Sequence, residues 1–224
     1  MAITPEIKKK YSEMASYVGD WGEGLNKTRL VGNIHRNLLG VDKIGKLRPI
    51  EDLAFFLLQA RQYGLNPLKN EIYATYQWAG GTEKLVPIPS IHGLRRLARQ
   101  AKMPTYAYTG KAIYEYTDDA KTKLDSATVE VFGYFSDPTI IQKVGEFTAY
   151  MEEFEKHKKD GSTNAMWSRM PRVMLAKCAE ANAIRASFGL GGIYVEEEIV
   201  GDDDKIIKLT DGTESEEDKN AVEE

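Results

Sequence analysis

Residues 71–102 read EIYATYQWAGGTEKLVPIPSIHGLRRLARQAK, and the period of the apolar residues changes inside this stretch. Residues 71–78 are rich in aromatic and β-branched side chains, Gly80-Gly81 supplies a turn, and Glu83 to Ile88 returns as a second strand. From Ser90 the spacing becomes helical. Ser90 is placed to cap a short basic helix over 90–102, in which Arg95, Arg99 and Lys102 share one face at i, i+4 and i+7. The decisive segment is therefore a hairpin running straight into a helix.

Outward from it, PIEDLAFFLLQARQYG (49–64) is a helix: Pro49 opens it, Glu51 and Asp52 complement its dipole, and Gly64 stops it. Residues 26–39 place Leu30, Ile34 and Leu38 on one helical stripe, and residues 1–25 read as a helical N-terminal arm and a loop. On the other side, 105–116, 127–135 and 140–150 read as strands, 155–165 as a polar loop and 171–188 as the last strong helix. The chain thus divides into an arm (1–25), a core (26–198) and an acidic, disordered tail (199–224).

The overall charge of −4 conceals a division. From Tyr194 to Glu224 thirteen acids face three bases, a net of −10, which leaves the body up to Ile193 at +6. A basic body permits phosphate binding without proving it. No run approaches the roughly 20 apolar residues that span a bilayer, and no signal peptide is legible, so a reducing cytoplasm is expected. The single cysteine, Cys178, sits in an apolar helical run and reads as a small core residue.

Signals of bond chemistry are poor. His35, His92 and His157 have no metal-ligand spacing. GLGG (189–192) lacks the lysine and hydroxyl of a phosphate-binding loop. Acid-x-lysine triplets at Asp119–Lys121 and Asp203–Lys205 fall in a turn and in the tail. We therefore expect no enzyme activity and no cofactor, with magnesium at most an auxiliary ion.

The last helix says more. Met170, Met174, Cys178, Ala181, Ile184 and Phe188 fall on one face at the 3.6 period. Lys177 and Arg185 lie at the margin of or within that stripe, where a cation needs either an internal partner or an external anion. Arg172 lies in the first turn, where free N–H groups already favour phosphate. With Arg95, Arg96 and Arg99, and with aromatics on neighbouring strands (Tyr73, Tyr76, Trp78, Tyr106, Tyr108), these residues have the composition of a single-strand binding surface. Strand tyrosines serve cores equally well.

QYGLNPLKNEIYA (62–74), PIPSIHGL (87–94) and WSRMPRVMLAKCAEANAIRASFG (167–189) with GIY (192–194), in that order, resemble the phage recombination protein Bet family, to which Redβ and the wider RecT group belong. The resemblance runs from about residue 27 to 198. It implies an α+β fold, a small antiparallel sheet backed by helices, in a single-strand annealing protein that assembles into rings or helical filaments without using ATP. Residue by residue, Trp167, Pro171 and Arg172 match the family's tryptophan, proline and basic residue, while Val173 stands where a second basic residue is usual. Arg185 and Arg96 match basic positions, and Lys69 stands one place before the family's lysine.

The DNA-binding candidates are thus Arg172, Lys177, Arg185, Arg169, Arg95, Arg96, Arg99, Lys69, Trp167 and Tyr76. The expected partners are single-stranded DNA, the annealed duplex intermediate and further copies of the chain, with the helices at 26–39 and 50–64 offered to neighbouring protomers. The resemblance adds a phage exonuclease and a host single-strand-binding protein. A passive single-strand coating protein, or a metal-dependent nuclease acting in recombination, is the alternative.

Overall fold

The structure, a computed structural model, describes residues 4–79, 81–158 and 160–190. The expected acidic tail and the GIY triplet lie outside the described residues. Helices α1 (Pro5–Glu13), α2 (Lys27–Ile34) and α3 (Ile50–Gln62) precede the hairpin β1 (Ile72–Ala79) and β2 (Thr82–Pro89). Helix α4 (Ile91–Gln100) leads to β3 (Thr105–Thr109), β4 (Ile113–Tyr116), β5 (Leu124–Tyr134) and β6 (Gln142–Tyr150). Two short helices, α5 (Met151–Phe154) and α6 (Ala165–Arg169), precede the long α7 (Pro171–Phe188). The architecture is α+β, as expected, but the hairpin does not join the later strands in the one small sheet expected: it forms an antiparallel sheet separate from the four-stranded one.

Local chemistry explains the boundaries. Ser90 Oγ accepts the Gly93 N–H at 3.1 Å and so starts α4. Pro171 opens α7, and Gly189, at φ 63°, closes it in a left-handed conformation that costs glycine little. The stripe over 26–39 forms α2 and then loosens into a π-helical turn over His35–Leu39.

Among the described residues β1 and β2 pair only with each other, from Ile72 opposite Pro89 to Ala79 opposite Thr82. In the second sheet β6 pairs along β5 from Ser126 to Gly133. The other edge of β5 carries β3 against Val131–Tyr134 and β4 against Leu124–Thr128. The expected single strand 105–116 is thus two strands laid end to end. The ladder breaks between them, although Gly110 still donates its N–H to Glu130 O at 2.9 Å.

Two apolar cores result. The larger is built from α2, α3, α4 and the N-terminal residues, with Leu53, Phe56, Leu57 and Leu94 fully buried. Residues of the expected arm, Tyr11, Met14 and Val18, belong to it. The smaller joins Ala127, Val129 and Ala149 of the sheet to Trp167. α7 serves both: Met174, Leu175, Cys178 and Ala179 enter the smaller core, and Ala181, Ala183 and Ile184 the larger. A Cβ on Gly145 would collide with Ser187 Oγ, which shows how closely α7 lies on β6.

A buried histidine ties the N-terminal helix to the larger core. His35 Nε2 donates to Arg48 O at 2.7 Å, which leaves Nδ1 to accept from Tyr11 Oη at 2.8 Å. This arrangement requires the neutral ring, and burial lowers the His35 pKa. The unfolded chain therefore takes up a proton that the fold refuses. The resulting stabilisation is complete above the unfolded value of about 6.5 and declines as pH falls below it. Urea unfolding between about pH 5.5 and 7 should show stability rising with pH by up to ~1.4 kcal/mol per unit. His35→Gln should flatten that rise; a wild-type profile already flat in this window would refute it.

Candidate nucleic-acid interface

The segment between α3 and β1 is a tight junction. Gly64 turns at φ 65°, Leu65 is buried, and Asn66 Oδ1 accepts the Leu68 N–H at 2.9 Å. Pro67 starts a single 3-10 turn that ends in Lys69, after which Asn70 adopts φ 55°. The carboxylate of Glu71, only 8% exposed, accepts the Asn66 N–H at 2.7 Å. Across the junction the Ser90 hydroxyl donates to Asn70 O at 2.7 Å. The Gly93 side of α4 then presses on the Glu71 backbone so closely that no Cβ fits. The GLNPLKNE and SIHG strings thus form one joint, and its product is a fixed distance between Lys69 and α4.

That joint frames a groove of about 580 Å³ lined by Lys69, Glu71, His92, Arg95, Arg96, Arg99 and Gln100. All four basic candidates from the first half of the chain meet here. Their roles differ. Arg95 holds Glu180 Oε1 of α7 through Nε at 2.7 Å and Nη2 at 2.6 Å. Thr109 Oγ1 donates to the same oxygen at 2.9 Å. Arg96 Nε donates to Gly64 O at 2.9 Å and lies 3.5 Å from Glu71 Oε2. Arg99 is exposed, with its guanidinium carbon 5.3 Å from the centre of the Tyr106 ring. Lys69 is also exposed. Two acids therefore hold Arg95 and Arg96 in place, while Lys69 and Arg99 direct their charge to solvent.

The helical wheel groups Arg95 with Arg99, but Glu180, 85 positions along the chain, draws Arg95 inward. Glu71, Glu180, His92 and Gln100 are absent from the sequence candidates. Glu71, His92 and Glu180 lie inside the strings that carry the resemblance, whereas Gln100 lies in none of them.

The remaining candidates lie elsewhere. Arg169, the last residue of α6, and Arg172, in the first turn of α7, are both exposed. The Arg172 guanidinium carbon is 4.4 Å from the Tyr114 ring centre, and Tyr114 Oη donates to Arg172 O at 3.3 Å. Lys177 and Arg185 are half-buried. Arg185 Nη2 donates to Asn182 Oδ1 at 2.6 Å, so its internal partner includes an amide. Tyr76 donates its hydroxyl to Asp52 at 3.0 Å and carries Arg48 over its ring at 3.7 Å. Burial, reinforced by the bond to Asp52, pushes its phenol pKa up.

Trp167 is 1% exposed in the smaller core, so its ring offers no free face to a base. Among the described residues its Nε1 has no hydrogen-bond partner. Trp167→Phe should accordingly leave oligonucleotide affinity within about twofold of wild type, whereas Trp167→Ala should cost ~3–5 kcal/mol of stability. A folded Trp167→Phe variant that loses DNA binding would restore the ring to the interface.

Among the described residues no cluster of three or more histidine, cysteine or carboxylate side chains is arranged to hold a metal ion. No described helix is long and apolar enough to cross a membrane.

Comparison with known proteins places this sequence in a family. A family model described as RecT family matches residues 42–212, a span that includes the junction, the groove and α7. No curated protein and no solved structure matches. The chain belongs to the RecT family, the single-strand annealing proteins of phage-type homologous recombination.

Proposed function

We propose that this chain binds single-stranded DNA along the groove of Lys69, Arg95, Arg96 and Arg99 and promotes pairing with a complementary strand, without ATP. The observation that carries this reading is the convergence of those four cations on one groove, two of them exposed. Cations on one wall, with Arg169 at the end of α6 and Arg172 at the head of α7, meet phosphates, which carry no sequence. The bases stay outward and select their partner by pairing. Stacking in the new duplex, about 1.4 kcal/mol per step, drives the reaction.

A single groove of this size touches few nucleotides, so protomers aligned side by side in a ring or filament supply affinity through multivalency. Phe55 and Leu58, exposed on the outer side of α3, are suited to that contact. Magnesium aids annealing by screening the two strands, and a phage exonuclease or host single-strand-binding protein delivers the strand.

The test is annealing of two complementary labelled oligonucleotides followed by fluorescence. The protein should accelerate pairing, and binding should weaken with salt at a log–log slope of about −3 to −4 for four to six phosphates per footprint. Base composition should matter little. Tight binding without acceleration would make the protein a coat; cleavage in magnesium would make it a nuclease.

A further inference from the structure

We infer that the acidic residues from Glu196 onward bind the Lys69–Arg99 groove of this same chain and compete there with single-stranded DNA. The inference rests on the groove being the DNA site and adds its regulation. Charge is the first ground: the body carries +6 and the residues from Tyr194 carry −10.

Position is the second ground. Phe188, the last residue of α7, packs edge-on against Tyr106 with ring centres 5.9 Å apart. Tyr106 is the ring beneath Arg99. Gly189 then turns the chain, and Leu190 donates its N–H to Arg185 O at 3.0 Å while packing against the larger core. The C-terminal segment is therefore rooted beside the groove. Glu196 follows Leu190 by six positions, a reach of about 20 Å when extended.

The third ground is the pattern of the acids. Glu196–Glu198 and Asp202–Asp204 are uninterrupted carboxylate triplets. Extended, such a run presents about one charge per 3.3–3.6 Å of chain, a line of negative charge of the same kind as a nucleic-acid backbone. A tether this short sets the local concentration of carboxylates on the order of millimolar, so a weak contact suffices to fill the groove. DNA spanning several protomers displaces the segment, whereas a short stray oligonucleotide does not.

Three proteins test this: the full chain, a chain ending at Val195, and the full chain with Asp202, Asp203, Asp204, Glu216, Glu217 and Asp218 changed to amides. Oligonucleotide binding is measured across a salt series. Both variants should bind on the order of tenfold more tightly than wild type at low salt, with the gap closing as screening shortens the reach of charge. A labelled peptide of residues 194–224 should be captured by the chain ending at Val195 and released by oligonucleotide. Capture should be lost in Arg99→Glu. Equal affinities of all three proteins at low salt, or peptide capture indifferent to Arg99→Glu, would overturn the inference. If the folded Val195-terminated chain binds no DNA, the functional reading fails instead; Arg99-dependent capture of the peptide still decides for the inference, and no capture decides against it.

Discussion

Exchanging both Lys69 and Arg99 for glutamate should lower single-strand affinity at least about a hundredfold at low salt while leaving the protein folded. Each side chain is exposed, and the carboxylates of the groove are occupied by Arg95 and Arg96. A hydrogen bond to a charged group contributes about 1.5–3 kcal/mol, which is tenfold or more in affinity for each such bond. The salt slope should shrink by about 1.4, at roughly 0.7 for each phosphate that is no longer neutralised on a single strand. Arg95→Ala makes the contrast. It leaves Glu180, whose side chain is 12% exposed, with the Thr109 hydroxyl but without its cation, and breaking a buried ion pair costs about 3–5 kcal/mol of stability. Wild-type affinity in the folded double variant would remove the groove from the DNA path.

The second large effect is one methyl group. Gly93→Ala places a Cβ against the backbone oxygen of Glu71, with further contacts to Glu71 C at 3.1 Å and Pro89 Cβ at 3.3 Å. The obstacle is backbone, so no rotamer relieves it; α4 must move away from the junction. We expect a loss of about 3 kcal/mol or more, the upper end for overpacking, and a loss of DNA affinity beyond it, because the spacing of Lys69 from Arg99 is set there. Gly45→Ala, where a Cβ would meet nothing, bears only the strain of its backbone at φ 77°. Denaturant unfolding of both variants decides the matter: equal midpoints would mean that the contact at Gly93 is soft.

Much of the fold was legible because its signals are local. Pro171 and Gly189 delimit α7 by chemistry that acts within one turn, and Ser90 caps α4 in the same way. The break between β3 and β4 was not legible, because it depends on how β5 accommodates two register shifts across the ladder. The candidate site divides along the same line. Lys69, Arg96 and Arg99 could be named from their strings. That Arg95 serves Glu180 could not, since its partner lies on another helix. Trp167 shows the converse: a residue carried over from a family resemblance proved to be a filled position in a core. Arg185 sits between the two cases, flagged by its apolar surroundings and then found beside Asn182.

The division of α7 between two cores bears on how the molecule comes apart. Its first half seals the sheet, its second half seals the helical layer, and Arg95 with Glu180 fastens the groove to its middle. A helix is cooperative along its length, so loosening at either end is transmitted to the other. The sheet and the groove of Lys69 and Arg99 consequently belong to a single unfolding unit. Under the proposed function, a protomer that shed its sheet to accommodate a neighbour would also lose its hold on phosphate, and rearrangement within an assembly would fall to the contacts between whole protomers.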